Sequence, residues 1–473
     1  MSEWRPGRNR RTDTKEKGRA LKDEREVVLL ALLSHEKNET FSNVLVKRTL
    51  DDCRQMSAAQ RAFIKRLLEG VIERKTELDA RIEHFTGRSV SRLHPTIHQI
   101  LRMGIYQILY MDAVPDSAAC NEAVCLAKKH APARLSGFVN GVLRNAVREK
   151  EKTGQAEAGA EDWLRACSIR YSMPEWLVGM WSDQLGAGEA EKLMEALMEI
   201  RPVTARFAGS LDQMQREELT GKLRASGVIV ENGRWLPYSC LLRKTSDLRD
   251  LPGFREGLWT VQDESSMLAV EAAGLTGTET VLDVCAAPGG KSFLAADRLQ
   301  CLHPDHPGRV YSYDLTRHKT DRIREGARRL HLDNLTAGER DATEFFAEDE
   351  GTADVLFCDL PCSGLGVMGK KRDIKYRASR EGLASLQQLQ RRILSKAVRY
   401  LKDGGILIYS TCTINREENE ENALWIEKEL GLQPDSLAPW LPEGIPGISG
   451  NMIQLLPHIH GTDGFFISRF RKV

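Results

Sequence analysis

The chain has 473 residues, a formal net charge of +1 and 41% hydrophobic residues, enough to bury several cores. At about 150 residues per domain it has room for about three domains. Near-neutral charge announces neither a nucleic acid nor a membrane partner, so any basic surface must be local. No apolar run approaches the ~20 residues needed to span a bilayer. The ten cysteines are scattered, which argues for reduced thiols in a cytoplasmic setting rather than a disulfide framework. Their spacing suggests no zinc site, and no metal is expected.

In chain order, residues 1–23 are basic and lack the apolar core of a secretory signal; they read as a mobile arm. Residues 24–150 read as helices. "HPTIHQILRMGIYQILYM" has Pro95 near its start and Ile97, Leu101, Ile105, Ile108 and Leu109 at helical spacing. "FIKRLLEGVIERKTELDARI" continues the pattern with Leu67, Val71, Leu78 and Ile82, and two shorter helices follow up to residue 150. These carry Lys128, Lys129, Arg134, Arg144 and Arg148 beside His130, a cluster suited to phosphate contacts or simply a solvated helix face.

A polar connection, "REKEKTGQAEAGAED", comes next. Residues 160–256 then read as linker helices ("EWLVGMWSDQLG", "AEKLMEALME") and a small α/β unit in which Asn232-Gly233 marks a hairpin turn. From residue 257 apolar runs ("TVLDVC", "RVYSYD", "DVLFCD", "GGILIYS") alternate with helical stretches. That alternation predicts a doubly wound, mostly parallel sheet covered on both faces, with ligands outside the carboxyl ends of its strands. Asp283, Asp314, Asp359 and two cysteines, Cys362 and Cys412, fall at or near those ends.

"VLDVCAAPGGKS" reads as strand, tight loop and helix start. Gly289 and Gly290 let a ligand approach the main chain closely, yet the loop is neither the dinucleotide G-x-G-x-x-G nor a P-loop. A ligand with an adenosine part and no phosphates fits better. Asp314, ending the next strand, suits two ribose hydroxyls. S-adenosylmethionine satisfies both conditions, whereas NAD satisfies only the second.

A thiolate that adds to C6 of a pyrimidine makes C5 electron-rich, ready to take a methyl from a sulfonium. A carboxyl near N3 would stabilise the charge, and Asp359 is the obvious one. One thiol is enough for attack; a second is free to help elimination or to be a spectator. The residues alone do not say which is which. Cys358, inside an apolar run, reads as a buried spectator.

"VQDESS", "DVCAAPGGKS", "DLPCSGLG", "STCTINREENE" and "DGFFISRF" resemble, in order, the motifs of the RNA 5-methylcytosine methyltransferases of the NOL1/NOP2/Sun type across residues 257–473. "LRMGIYQILYM" and "FVNGVLRNAVRE" resemble the NusB-type RNA-binding domain. The resemblance implies a multidomain fold: an all-α NusB-like domain, a small α/β (RRM-like) middle domain and an α/β Rossmann-like class I methyltransferase domain. It implies Cys412 as nucleophile, Cys362 as the helper in product release and Asp359 as the contact to the target cytosine. It places S-adenosylmethionine on the loop Cys285, Ala286, Ala287, Pro288, Gly289, Gly290 and Lys291, with Asp314 on the ribose, Asp341 near the adenine and Asp359 beside the methionine end. The implied partner is small-subunit (16S) ribosomal RNA, and a monomer is expected.

Two positions depart from the family pattern, Leu360 where alanine is usual and Arg372 where proline is common. Neither removes a reactive group. Rival readings are another RNA (tRNA) cytosine-C5 methyltransferase, a DNA cytosine methyltransferase using the Pro361-Cys362 pair, a noncatalytic ribosome-assembly factor and a dehydrogenase.

Overall fold

A computed structural model describes residues 23–37, 41–150, 163–245 and 247–473. The basic arm up to residue 22 and the connection at 151–162 lie outside the described residues. The chain divides into two compact units, one up to residue 157 and one from residue 158.

The first unit is helical: α1 (Glu24–Lys37), α2 (Ser42–Asp52), α3 (Ala58–Glu73), α4 (Lys75–Thr86), α5 (Pro95–Tyr110), α6 (Asp116–His130) and α7 (Ser136–Lys150). Pro95 sits in the first turn of α5, where its missing N–H costs nothing. Residues on every side of α5 are buried, including Ile97, Leu101, Met103, Ile105 and Ile108, and α1, α3, α4, α6 and α7 all pack against it. The pattern that reads as one helix through residue 82 breaks at Arg74, where the backbone turns to φ −101°, ψ 24°. Its guanidinium donates to Glu77 at 2.8 Å and lies 4.1 Å from the Tyr110 ring. Apolar periodicity persists across the break, so the pattern could not reveal it.

The second unit opens with α8 (Trp163–Arg170), α9 (Glu175–Leu185) and α10 (Ala187–Met198). The small α/β part consists of β1 (Val203–Phe207), α11 (Gln213–Ala225), β2 (Ile229–Asn232), β3 (Ser239–Arg243) and β4 (Trp259–Val261). Its strands form an antiparallel sheet in the order β2-β3-β1-β4. Trp259 is buried with Leu219 and Leu223 of α11, so β4, beyond the expected boundary at 256, completes this sheet. The Asn232-Gly233 hairpin joins β2 and β3, but through residues 233–238 rather than a two-residue turn. Glu264 explains the longer loop: its carboxylate accepts hydrogen bonds from the backbone N–H groups of Arg234, Trp235 and Leu236 and from Ser239 Oγ.

The remaining helices are α12 (Glu264–Glu271), α13 (Gly290–Leu302), α14 (Arg317–Arg329), α15 (Ile374–Arg377), α16 (Arg380–Ala397), α17 (Glu420–Leu430) and α18 (Pro457–His460). The strands are β5 (Thr280–Asp283), β6 (Arg309–Asp314), β7 (Leu335–Glu339), β8 (Ala353–Asp359), β9 (Leu401–Thr411), β10 (Gln433–Pro434), β11 (Ile448–Ser449), β12 (Met452–Leu455) and β13 (Phe465–Arg471). Among the described residues they form one sheet, with β7-β6-β5-β8-β9 parallel and β13, β12 and β11 added antiparallel beyond β9. The sheet is therefore mixed, a correction to the mostly parallel expectation.

Side chains alternate across a strand, so neighbours feed opposite layers. Val281, Val355, Phe357, Ile406 and Ile408 pack under α12, α13 and α14. Leu282, Leu356, Cys358, Leu407 and Tyr409 pack under α16 and α17. Both faces are covered, and the parallel strand ends are left to carry the site. Among the described residues, no helix is long and apolar enough to cross a membrane.

Candidate active site

At the end of β5 the chain passes through Val284–Gly289 into α13. Gly289 has φ +112°, and a Cβ there would lie 2.3 Å from the Phe293 ring, so only glycine serves. The loop is held by bonds from Ala286 N–H to the Tyr313 carbonyl (2.9 Å) and from Gly289 N–H to the Ala286 carbonyl (2.7 Å). Burial pushes the Cys285 thiol well up, which disfavours its thiolate.

Asp314 ends β6, next to β5. Its Oδ2 accepts from Ala287 N–H (2.9 Å), and its Oδ1 accepts from Leu315 N–H (2.8 Å) and pairs with Lys319 (2.8 Å). Asp341 follows β7; Thr343 donates to it from both N–H and Oγ1, holding its carboxyl below the usual range. Three adjacent strand ends thus align the loop Cys285–Lys291, Asp314 and Asp341. With Asp283 and Asp359 this edge is rich in carboxyls, which suits ribose hydroxyls and a cationic ligand and opposes phosphates.

Lys291, in the first turn of α13, is buried. Its Nζ donates to Asp359 Oδ2 at 2.7 Å and stands 4.7 Å from the Phe465 ring centre. Ser410 Oγ donates to the other oxygen of Asp359 at 3.0 Å. Both oxygens of Asp359 are thereby fixed at the end of β8.

The two thiols leave the sheet side by side because β8 and β9 are parallel neighbours, with Asp359 opposite Ser410. Cys362 Sγ and Cys412 Sγ are 3.3 Å apart. The pair is asymmetric. The hydrogen bond with Cys362 pulls the Cys412 thiol down, and Lys371 and Lys291 add to it against burial and Asp359. Cys362 is pushed well up by its bond to Cys412, by burial and by the charges of Glu418 and Asp359. Asp359 acts on both thiols, but the lysines act on Cys412 and Glu418 on Cys362, so Cys412 is the more acidic. Cys358 is fully buried in the core, its thiol driven up by burial, and Leu360 is buried beside it.

Some residues that shape this site carried no sequence signal. Trp181 on α9 is fully buried and its indole N–H donates to the Ile414 carbonyl at 3.0 Å, two residues past Cys412. Helices α8–α10 share one core with Leu365, Met368 and Ile414 of the thiol loops; they brace the site. Glu418 and Ser292 were also missed: the first is buried and bonded to Ser363, next to Cys362, and the second donates to Asp283 at 2.6 Å. Among the described residues no His, Cys, Asp and Glu grouping could hold a metal ion.

In the helical unit, Lys128, Lys129, Arg134, Arg144 and Arg148 are all exposed along α6, the turn after it and α7. Lys129 is tied to the buried Glu26 at 2.8 Å, and Arg148 is bonded to Asn145.

Comparison with known proteins bears on both units. Residues 272–471 match the family described as 16S rRNA methyltransferase RsmB/F, and residues 22–148 match the NusB family. The chain is 37% identical to the probable ribosomal RNA small subunit methyltransferase B of Bacillus subtilis (strain 168), over 95% of this chain and 98% of that one. It is 31% identical to the protein of the same description from Synechocystis, over 95% and 99%. Its fold is similar to the crystal structure of PH0851, with TM-score 0.75 and 22% identity over 95% of this chain and 98% of the other. The likeness runs nearly end to end in both relatives and covers the loops that hold the thiol pair; the chain belongs to the RsmB/F family of rRNA methyltransferases, among the members that carry a NusB domain.

Proposed function

We propose that this protein methylates C5 of a cytosine in small-subunit (16S) ribosomal RNA, with S-adenosylmethionine as methyl donor and a covalent bond between Cys412 and C6 of the base. The observation that carries this reading is the 3.3 Å contact between unequal thiols beside Asp359. The Cys412 thiolate adds to C6, and the displaced electron pair moves toward C5 and N3. Asp359, held by Lys291 and Ser410, faces the base and contacts its N3 side. S-adenosylmethionine, when bound, supplies a methyl group on a positively charged sulfur, which the electron-rich C5 can take.

Release then requires a base, solvent water in the simplest case, to take the C5 proton. The electrons of that C–H bond restore the C5–C6 double bond, and the C6–S bond breaks with its pair returning to Cys412. Cys362, in contact with the Cys412 sulfur, is assigned to the departure of that sulfur, its S–H donating to the thiolate as the C6–S bond breaks. The loop Cys285–Lys291, Asp314 and Asp341 would hold the donor, by ribose hydroxyls on Asp314 and by the adenine near Asp341. The target C6 is inaccessible in a stacked helix, so the base is flipped out or unpaired. The NusB-type unit contributes RNA binding through its exposed basic cluster, and the reaction belongs in the cytoplasm.

The test is a denaturing gel of Cys412→Ala and Cys362→Ala, each incubated with S-adenosylmethionine and small-subunit ribosomal RNA. A protein–RNA band that persists only with Cys362→Ala supports the assignment. A band only with Cys412→Ala would exchange the two roles.

A further inference from the structure

Bonded to the residue that follows Cys362 is a carboxylate to which the reaction above gives no part. Glu418 is fully buried, in the turn between β9 and α17. Its Oε1 accepts from Ser363 Oγ (2.5 Å) and Asn415 Nδ2 (3.1 Å). Its Oε2 accepts from Ser363 N–H (2.9 Å) and Gln390 Nε2 (2.9 Å). Among the described residues no cation forms an ion pair with it. A buried charge is costly unless hydrogen bonds satisfy it fully, and here four do.

The partners are informative. Ser363 follows Cys362, and its hydroxyl also meets Thr413 Oγ1 at 2.7 Å, the residue after Cys412. Gln390 donates in addition to the Pro361 carbonyl at 2.9 Å, just before Cys362. One carboxylate therefore ties together the two loops that present the thiols. The charged and titratable groups facing the pair are Asp359 of β8, Lys291 of α13, Lys371 beyond Cys362, Tyr409 of β9 and Glu418 itself. Of these, Glu418 acts on Cys362 and the lysines act on Cys412.

We propose that Glu418 is the positioning residue of the thiol pair: it locks the Cys362 and Cys412 loops together and, through its charge, keeps the shared proton on Cys362 so that Cys412 carries the thiolate. The inference rests on Cys412 being the nucleophile. Its chemistry is a proton placement only, one S–H and one S⁻, with no oxidant required.

The test uses the full chain without RNA. Wild type, Glu418→Gln and Ser363→Ala are alkylated with iodoacetamide across pH, and peptide mass spectrometry gives separate rates for Cys362 and Cys412. Binding of S-adenosylhomocysteine reports folding of the strand-end pocket. In wild type, Cys412 reacts first. In Glu418→Gln the ratio of Cys412 to Cys362 rates falls by about tenfold, the equivalent of one pKa unit, with S-adenosylhomocysteine still bound. Ser363→Ala keeps the charge and loses the hydroxyl bridge, so the ratio holds while methyl transfer at saturating substrates slows. A folded Glu418→Gln with the wild-type ratio, or Ser363→Ala with undiminished turnover, overturns the inference. Should Glu418→Gln fail to bind S-adenosylhomocysteine, the Ser363→Ala turnover decides. A wild-type chain alkylated first at Cys362 overturns the thiol assignment itself, whatever Glu418 does.

Discussion

Replacing Trp181 by Phe tests whether the helices before the small sheet serve catalysis. Trp181 is fully buried, and its N–H donates at 3.0 Å to the Ile414 carbonyl, close behind Cys412. Trp181→Phe removes the donor and leaves a buried carbonyl without it, at a cost of about 1–3 kcal/mol. Trp181→Ala adds a cavity and costs about 3–5 kcal/mol. Calorimetry of the intact chain separates the units, because S-adenosylhomocysteine raises only the transition of the unit that binds it. At roughly 1.5 °C per kcal/mol for the larger unit, which runs from residue 158 to residue 473, Trp181→Phe should lower that transition by about 1.5–5 °C. The Ile414 segment also sets where the Cys412 sulfur stands, and a displacement of about 1 Å can cost about a hundredfold in rate. Turnover should therefore fall by tenfold or more (on the order of 1.4 kcal/mol), while cofactor affinity, set by the ends of β5, β6 and β7, is unchanged. A lowered transition with normal turnover would refute the reasoning and leave Trp181 a core residue only.

Other outcomes follow from the same geometry. Gly289→Ala forces a side chain into φ +112° and against Phe293, at about 1–3 kcal/mol; calorimetric titration should show S-adenosylhomocysteine affinity lowered by about tenfold or more, and unchanged affinity would refute it. Burial pushes the Asp283 carboxyl from 3.8 up to about 7, with the Ser292 hydrogen bond opposing and the Asp359 charge adding. Since the folded value lies above the unfolded one, the folded chain holds the extra proton; this contribution is fully present below about pH 4 and lost as pH rises through about 7. Asp283→Asn should abolish that part of the fall, read as urea midpoints at pH 5 and pH 8, and an equal fall in both proteins would count against it. Substituting Arg134, Arg144 and Arg148 by Ala should weaken RNA binding and reduce the slope of log affinity against log salt by about 0.7–0.9 per lost phosphate contact; a binding isotherm with an unchanged slope would remove the cluster from the interface.

Much of this architecture was legible because it is local. Apolar runs ending in Asp283, Asp314 and Asp359 mark strands and their carboxyl ends, and 3.6-residue spacing marks α5. The Gly289-Gly290 loop declares its backbone need directly, and the motif order carries the family. Other features depend on what lies beside what. Strand direction leaves no trace in periodicity, so the antiparallel β13 and β12 could not be read from their apolar residues. "REENEEN" looks like a solvated charge run, yet Glu418 within it is buried, because Ser363, Asn415 and Gln390 converge on it. Trp181 reads as one more apolar residue on an amphipathic helix until its indole meets Ile414. The chain by itself supplied the reactive groups: two thiols, Asp359 and Lys291. Only the tertiary structure decided that thiols 50 residues apart come within 3.3 Å. It did so because β8 and β9 are hydrogen-bonded parallel neighbours whose ends release both loops at the same level. It also decided their order of acidity, since the lysines stand by Cys412 and the buried carboxylate by Cys362.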